Sequence, residues 1–235
     1  MNLSMPFWNN FRSIIYVLAF FFIAAPDIGE ASYSKYKLKQ EYDFHCQEIS
    51  DIYEHIPLLC NLCMECSSAI EIGVKNVIST WGILQGLSES LLTPRSYVGI
   101  DLVMPEDNKL KRAKKLAEGN EISFQFLQAN DMEIDIEPTD LLFIDSLHTY
   151  CHLTYELEKF SPKIQKYIAM HDTSWGDIDD PQYTGDYSEY PAEFDRSKKG
   201  LWRAVEDFLS RHPEWSLQAR YHNNYGFTIL TRNPI

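Results

Sequence analysis

The sequence predicts an α/β fold built on a doubly wound, mostly parallel sheet with helices on both faces. Three observations predict it. Short apolar runs alternate with stretches whose apolar residues recur at helical spacing. Three of the runs end on a residue able to do chemistry, Asp101, Asp145 and His171, and open parallel sheets bind ligands at the carboxyl ends of their strands. The 235 residues, 45% of them apolar, suit one α/β domain better than two and exclude a disordered or fibrous chain.

The elements follow in order. Residues 1–31 stand apart from the core. Ile14 to Ala25 is an uncharged run of twelve, preceded by Arg12 and ended by Pro26. As helix it would cover about 18 Å, short of the roughly 30 Å hydrocarbon core. With Gly29 and Ala31 behind it, it reads as a signal-peptide-like or membrane-tethering segment, or as an over-extended translation start. Residues 32–66 form an N-terminal helical cap, with 44–66 read as helix and Pro57 suited to a first turn. Ala69 to Ile72 is the first strand. Trp81, Leu84, Leu87 and Leu91 mark the next helix face. Tyr97 to Ile100 is the second strand, Leu110 to Ala117 a helix, and Phe124 to Leu127 the third strand. Leu141 to Ile144 is the fourth, Tyr150 to Phe160 a helix, and Tyr167 to Met170 the fifth. Residues 174–199 are irregular and hold Trp175, Tyr183, Tyr187 and Tyr190; so long a loop in a compact domain points to a functional, lid-like insert or to disorder. Leu201 to Leu209 is the last helix. Trp215 to Tyr221 and Phe227 to Leu230 close the sheet around a turn at Asn223–Gly226.

The formal charge is −13, which argues against a nucleic-acid partner, since phosphate needs positive potential. Five cysteines in so long a chain are no disulfide scaffold. Cys60, Cys63 and Cys66 have the spacing of part of an iron–sulfur ligand run. In a helical segment that spacing puts them near one face, where they read as small buried hydrophobes.

Three motifs carry the chemistry. Glu71-Ile72-Gly73, with Ser79-Thr80 opening the next helix, is a strand–glycine–helix turn that lets a nucleotide-like ligand approach the backbone. Asp101 lies 28 residues past Gly73, where a carboxylate can accept from both ribose hydroxyls. Asn130-Asp131 follows the third strand and flanks the adenine side of such a site; an Asx turn or helix cap is the plainer reading. Asp145, His148, His171 and Asp172 lie at neighbouring strand ends. Asp145 and Asp172 suit a hard divalent cation, and His171 as a nitrogen ligand widens the choice to manganese or iron. His148 has the ordinary pKa of a general base.

In this order the motifs resemble the class I S-adenosylmethionine-dependent methyltransferases, most of all a small bacterial branch of sugar, cephalosporin and macrolide tailoring O-methyltransferases. Gly200-Leu201-Trp202-Arg203-Ala204-Val205, Pro213-Glu214-Trp215 and Asn223-Asn224-Tyr225-Gly226 add to the resemblance, which covers roughly residues 67–231. It implies a Rossmann-like methyltransferase fold of seven strands with the last antiparallel. It also implies S-adenosyl-L-methionine as cofactor, Mg2+ or Mn2+ as metal, and a small-molecule hydroxyl, sugar included, as methyl acceptor. Glu71 and Gly73 would lie against the methionine part of the cofactor, with Ser79 and Thr80 beside them. Asp101 would hold the ribose and Asp131 approach the adenine amine. Asp145, His171 and Asp172 would hold the metal, His171 standing where many relatives carry an acid, and His148 would act as base beside Asp145. Such chemistry belongs in the cytoplasm, with membrane attachment or export through the N-terminal segment as the alternative.

The resemblance breaks at Val77-Ile78, where the family carries a glycine pair. A β-branched residue at positive φ is an outlier, so the turn is expected to be reshaped or cofactor binding weakened. That keeps a non-catalytic binding protein of the same fold as an alternative. A nicotinamide oxidoreductase would need Gly-x-Gly-x-x-Gly, and Lys75 and Ile78 occupy its later glycine positions.

Overall fold

In the computed structural model, residues 29–176, 178–181 and 187–234 are described. The uncharged N-terminal run and Tyr183 lie outside them. Seven strands form one sheet, β1 (Ser68–Ile72), β2 (Arg95–Asp101), β3 (Ile122–Gln128), β4 (Thr139–Ile144), β5 (Ile164–His171), β6 (Trp215–Tyr221) and β7 (Phe227–Arg232). Their order is β3-β2-β1-β4-β5-β7-β6. β7 runs antiparallel to both β5 and β6, and the pairs among β1 to β5 are parallel. The expected architecture is therefore found.

Among the described residues six α-helices accompany the sheet: α1 (Glu30–His45), α2 (Ile56–Cys63), α3 (Ser79–Glu89), α4 (Asp107–Glu118), α5 (Tyr150–Phe160) and α6 (Leu201–Arg211). Side-chain alternation along each strand divides the core in two. Ala69, Tyr97, Leu141 and Phe143 pack with α1 to α4 on one face; Ile70, Ile72, Leu142 and Ile144 pack with α5 and α6 on the other. β3 reaches β4 through residues 129–138 with no helix between.

Two sequence expectations are corrected here. Residues 44–66 are not one helix: α1 stops at His45, and the chain turns through 46–52 before Pro57 opens α2. Leu91 lies beyond the end of α3 and is 96% exposed. The α3 face is instead defined by its glycines. A Cβ on Gly86 would stand 2.2 Å from the Cys60 carbonyl oxygen, and one on Gly82 would stand 2.7 Å from that of Ile56. α2 therefore lies backbone-close across α3. Cys60 and Cys63 are buried at this crossing and Cys66 just beyond it. All five cysteines are free, and burial pushes the Cys60 thiol up to about 11 and that of Cys66 to about 12. They behave as packed thiols, in keeping with the hydrophobic reading.

Candidate active site

The chain order reverses between β1 and β4, which lie side by side. Adjacent connections then leave for opposite faces and open a crevice at the strand ends. A cavity of about 530 Å³ occupies that crevice, within the range of small-molecule sites. Gly73, Ser79, Asp101, Asp131, Asp145, His148 and Asp172 line it; Glu71, Thr80 and His171 do not.

Glu71 is set back because period-two alternation turns it onto the α3 face. It is fully buried and accepts hydrogen bonds from Ser79 Oγ, Tyr97 Oη and, at 2.7 Å, Thr80 Oγ1. Burial pushes its carboxyl up to about 7, against the pull of these donors. Glu71 thus ties β1 to the start of α3 and shapes the loop from behind.

Gly73 has φ +89°, and a Cβ there would stand 2.0 Å from the Asp145 carbonyl oxygen. The loop that follows keeps a left-handed course through Lys75 (φ +44°) and Val77 (φ +63°). Val77 thus takes a left-handed backbone of the kind glycine adopts freely, the outlier expected of a β-branched residue there. Such strain costs on the order of 1–3 kcal/mol. The Val77 side chain is fully buried, which contributes a similar amount in return. Asp101 fixes the other side of the loop. Its Oδ2 accepts from the N–H groups of Val74 (2.9 Å) and Lys75 (2.8 Å), and its Oδ1 accepts from that of Val103 (2.9 Å).

At the tips of β4 and β5 four groups converge. His148 Nε2 lies 2.9 Å from Asp172 Oδ2 and 3.4 Å from Asp145 Oδ1. His171 Nδ1 lies 3.4 Å from Asp172 Oδ2 and 3.5 Å from Asp145 Oδ1. Asp172 turns into the cluster from a left-handed backbone, φ +57°. Burial pulls both histidines down, and the close negative charge of the two carboxylates outweighs it, raising each to about 10. Burial raises the Asp145 and Asp172 carboxyls, and the two histidines overcome it and hold both below the usual carboxylate range.

The His171 ring also shows what this cluster demands. Its Nε2 lies 3.0 Å from the Asn224 carbonyl oxygen. A carbonyl only accepts, so Nε2 carries the proton. Nδ1 of the neutral ring is then a lone pair facing two carboxylates. Neither His171 Nδ1 nor His148 Nε2 has an in-line hydrogen bond. Acceptors facing acceptors require positive charge between them, as protons on the rings or as a cation. The donor set fits a divalent cation, and Asp145, His148 and Asp172 can converge on one point. His171 Nδ1 borders the same oxygens.

Sequence reasoning missed two features. One is a buried group of Asp131, His152 and Glu156 on the far side of the cavity. His152 Nε2 lies 3.1 Å from Asp131 Oδ2, and Ser146 Oγ donates to Glu156 Oε1 at 2.7 Å. The signal was the i, i+4 spacing of His152 and Glu156 on one helix face. The other is Asp179, whose Oδ1 accepts from the Tyr150 and Gly200 N–H groups at 2.8 and 2.9 Å, holding the starts of α5 and α6 together.

Burial pushes the Glu156 carboxyl up to about 8. A folded value above the ordinary one means the folded protein keeps a proton that the unfolded chain releases. Stability therefore falls as pH rises from about 4.5 to 8, by up to about 1.4 kcal/mol per pH unit from this group. Glu156→Gln keeps the acceptor for Ser146 and abolishes the titration. Its thermal midpoint should decline less between pH 6 and 8 than that of the wild type. Parallel declines would remove Glu156 as the source.

No family model matches the sequence, and no curated protein matches it. Solved structures do. A protein from Corynebacterium glutamicum is similar at 17% identity over 86% of this chain and 91% of its own, with TM-score 0.52. An O-methyltransferase from Bacillus cereus in complex with SAH gives 14% identity over 86% and 91%, with TM-score 0.51. An SAH-bound methyltransferase from Podospora anserina gives 11% identity over 87% and 94%, with TM-score 0.50. Among the described residues no helix is long and apolar enough to cross a membrane. Strand order, the antiparallel β7 and these likenesses agree that the chain has the Rossmann-like methyltransferase fold.

Proposed function

We propose that the protein is an S-adenosylmethionine-dependent methyltransferase acting on a hydroxyl of a small molecule, a sugar among the candidates. The observation that carries this reading is the His148–Asp145–Asp172–His171 cluster at the switch-point cavity of this fold. Gly73 and Ser79 would border the methionine part of the cofactor, Asp101 the ribose and Asp131 the base. The reaction forms an O–CH3 bond as the CH3–S bond breaks, leaving a neutral thioether. The hydroxyl proton must go to the protein.

His148 is the group placed to take it, being partly exposed in the cavity while His171 is sealed behind. With its proton held by two carboxylates, His148 cannot act as base at neutral pH. A divalent cation held by Asp145, His171 and Asp172 would supply the positive charge in that proton's place and lower the pKa of the acceptor hydroxyl. His148 Nε2 is then a vacant base. One nitrogen cannot both bind a cation and accept a proton, so the base role requires His148 to stand outside the ligand set.

Calorimetric titration of the full chain with S-adenosylmethionine, with and without Mg2+ or Mn2+, tests the reading. Micromolar binding is expected, and its absence under all conditions overturns it. His148→Ala should lower turnover by about 10²–10⁴-fold, the range of general-base catalysis, with cofactor affinity nearly unchanged. Equal loss of both would remove His148 as the base.

A further inference from the structure

The irregular insert between β5 and α6 reaches the cavity through Tyr190. This side chain is 2% exposed and lines the cavity wall. Its hydroxyl lies 3.0 Å from His152 Nδ1, its ring sits edge-on to His152 at 6.0 Å and 83°, and Arg196 Nη2 donates to its carbonyl oxygen at 2.9 Å. On the other side of the imidazole, His152 Nε2 lies 3.1 Å from Asp131 Oδ2. Three segments distant in sequence are thus joined in a line: the insert, the first turn of α5 and the loop after β3.

The proton positions along this line are constrained. A phenol hydroxyl is a better donor than acceptor toward a neutral imidazole, so Tyr190 fills Nδ1 and the ring proton sits on Nε2. If the ring gains a second proton, Nε2 still carries one. In either state Nε2 carries a proton 3.1 Å from Asp131 Oδ2, a close polar contact off the line of a hydrogen bond. Glu156, fully buried one turn along α5, packs behind this contact, its Oε1 3.7 Å from His152 Nε2. Asp131 Oδ2 is wholly buried, while Asp131 as a residue lines the cavity. Oδ2 therefore sits against the His152 ring on the interior side, while the residue borders the cavity on the other. Leu102, Val103, Ala129 and Met132 line the same end of the cavity, apolar surroundings that suit the faces of a flat heteroaromatic ring.

We propose that Tyr190 and His152 are positioning residues that couple the insert to recognition of an amino-substituted purine, by holding Asp131 as the acceptor for its exocyclic amine. This rests on the methyltransferase reading, since it takes the base to be that of the adenosyl cofactor. It adds how the base is discriminated and what part of the chain senses it. An oxo group in place of the amine would set acceptor against acceptor and leave Asp131 unpaired, a loss that recognition sites of this kind feel strongly.

The test is calorimetric titration of the full chain with S-adenosylhomocysteine and with S-inosylhomocysteine, its 6-oxo counterpart. The wild type should prefer the adenosyl compound by at least about tenfold. His152→Ala should erase most of that preference. His152→Gln, with an amide N–H near the position of Nε2, should restore it. Tyr190→Phe removes one hydroxyl and no packing volume. It should weaken adenosyl binding about three- to tenfold, as expected for one lost hydrogen bond. It should also abolish the protection from limited proteolysis that the ligand gives residues 187–199 in the wild type. Unchanged base preference in His152→Ala, or undiminished protection in Tyr190→Phe, overturns the inference while leaving the methyltransferase reading intact. A wild type that binds neither nucleoside overturns both.

Discussion

Gly73→Ala should unfold the site and much of the domain with it. The Cβ it adds would stand 2.0 Å from the carbonyl oxygen of Asp145 and 2.5 Å from its carbon. Both atoms are backbone and cannot swing aside, so the tips of β1 and β4 must part. One hydrogen bond joins those tips, Asp145 N–H to the Ile72 carbonyl at 2.8 Å, and a second, Gly73 N–H to the Ile100 carbonyl at 2.9 Å, ties the moving glycine to β2. Losing them costs about 1 kcal/mol each, and the left-handed backbone at φ +89° adds about 1–2 kcal/mol for any residue with a Cβ. The sum, about 3–4 kcal/mol before the clash itself, is a large share of a domain's usual 5–15 kcal/mol. Gly176 is the control. It has φ +90° but open space where its Cβ would go, so Gly176→Ala should cost only the backbone part. Denaturant midpoints of the two variants separate conformation from crowding. Equal midpoints would mean that the close approach of β1 and β4 is not what requires glycine at 73.

The fold was legible because the central strands β1 and β4 are buried on both faces and read as apolar runs. Ile70, Ile72, Leu141, Leu142, Phe143 and Ile144 leave little else for those segments to be. The strand tips were legible for a related reason: a polar residue directly after such a run is exposed by the end of the sheet. Glu71 was misplaced by the same logic applied one residue too early. It precedes the tip, and alternation rather than position decides where it faces, so it meets Ser79, Thr80 and Tyr97 instead of the cavity. His152 and Glu156 were missed because a polar pair at i, i+4 on a helix is ordinarily a solvated face. What buries this pair is the loop carrying Asp131 and, over it, Tyr190 from the insert. Neither segment has a periodicity that announces where it packs. The break at 46–52 was missed because nothing between His45 and Pro57 is a strong helix breaker. Val77 is the instructive departure, since a local rule forbade it and the core accepts it.

Asp145→Asn should be the most damaging single change to chemistry that leaves the fold in place. Asp145 Oδ1 lies 3.4 Å from His148 Nε2 and 3.5 Å from His171 Nδ1, and with Asp172 it is one of the two carboxylates that both rings face. The amide keeps the shape and removes the charge. Both histidines should then titrate well below the value of about 10 that they have now, which the pH dependence of their ring proton resonances would record. The sign of the stability change follows. The Asp145 carboxyl is held low, so its contribution is complete above about pH 4 and is lost as pH falls below that. The histidines are held high, so their contribution is complete below about pH 6.5 and is lost as pH rises toward 10. The wild type should therefore exceed the variant most between about pH 4 and 6.5, and the gap should narrow from there to pH 10. Turnover should fall by about 10³-fold or more, since the amide can neither balance a cation nor release His148 as a base. Affinity for S-adenosylmethionine should change by less than about threefold, because Asp145 would touch the acceptor side of the cavity rather than the nucleoside. A variant that keeps the wild-type histidine titrations would show that Asp172 alone sets them. The acceptor would then have to be activated at Asp172, on the β5 side of the crevice.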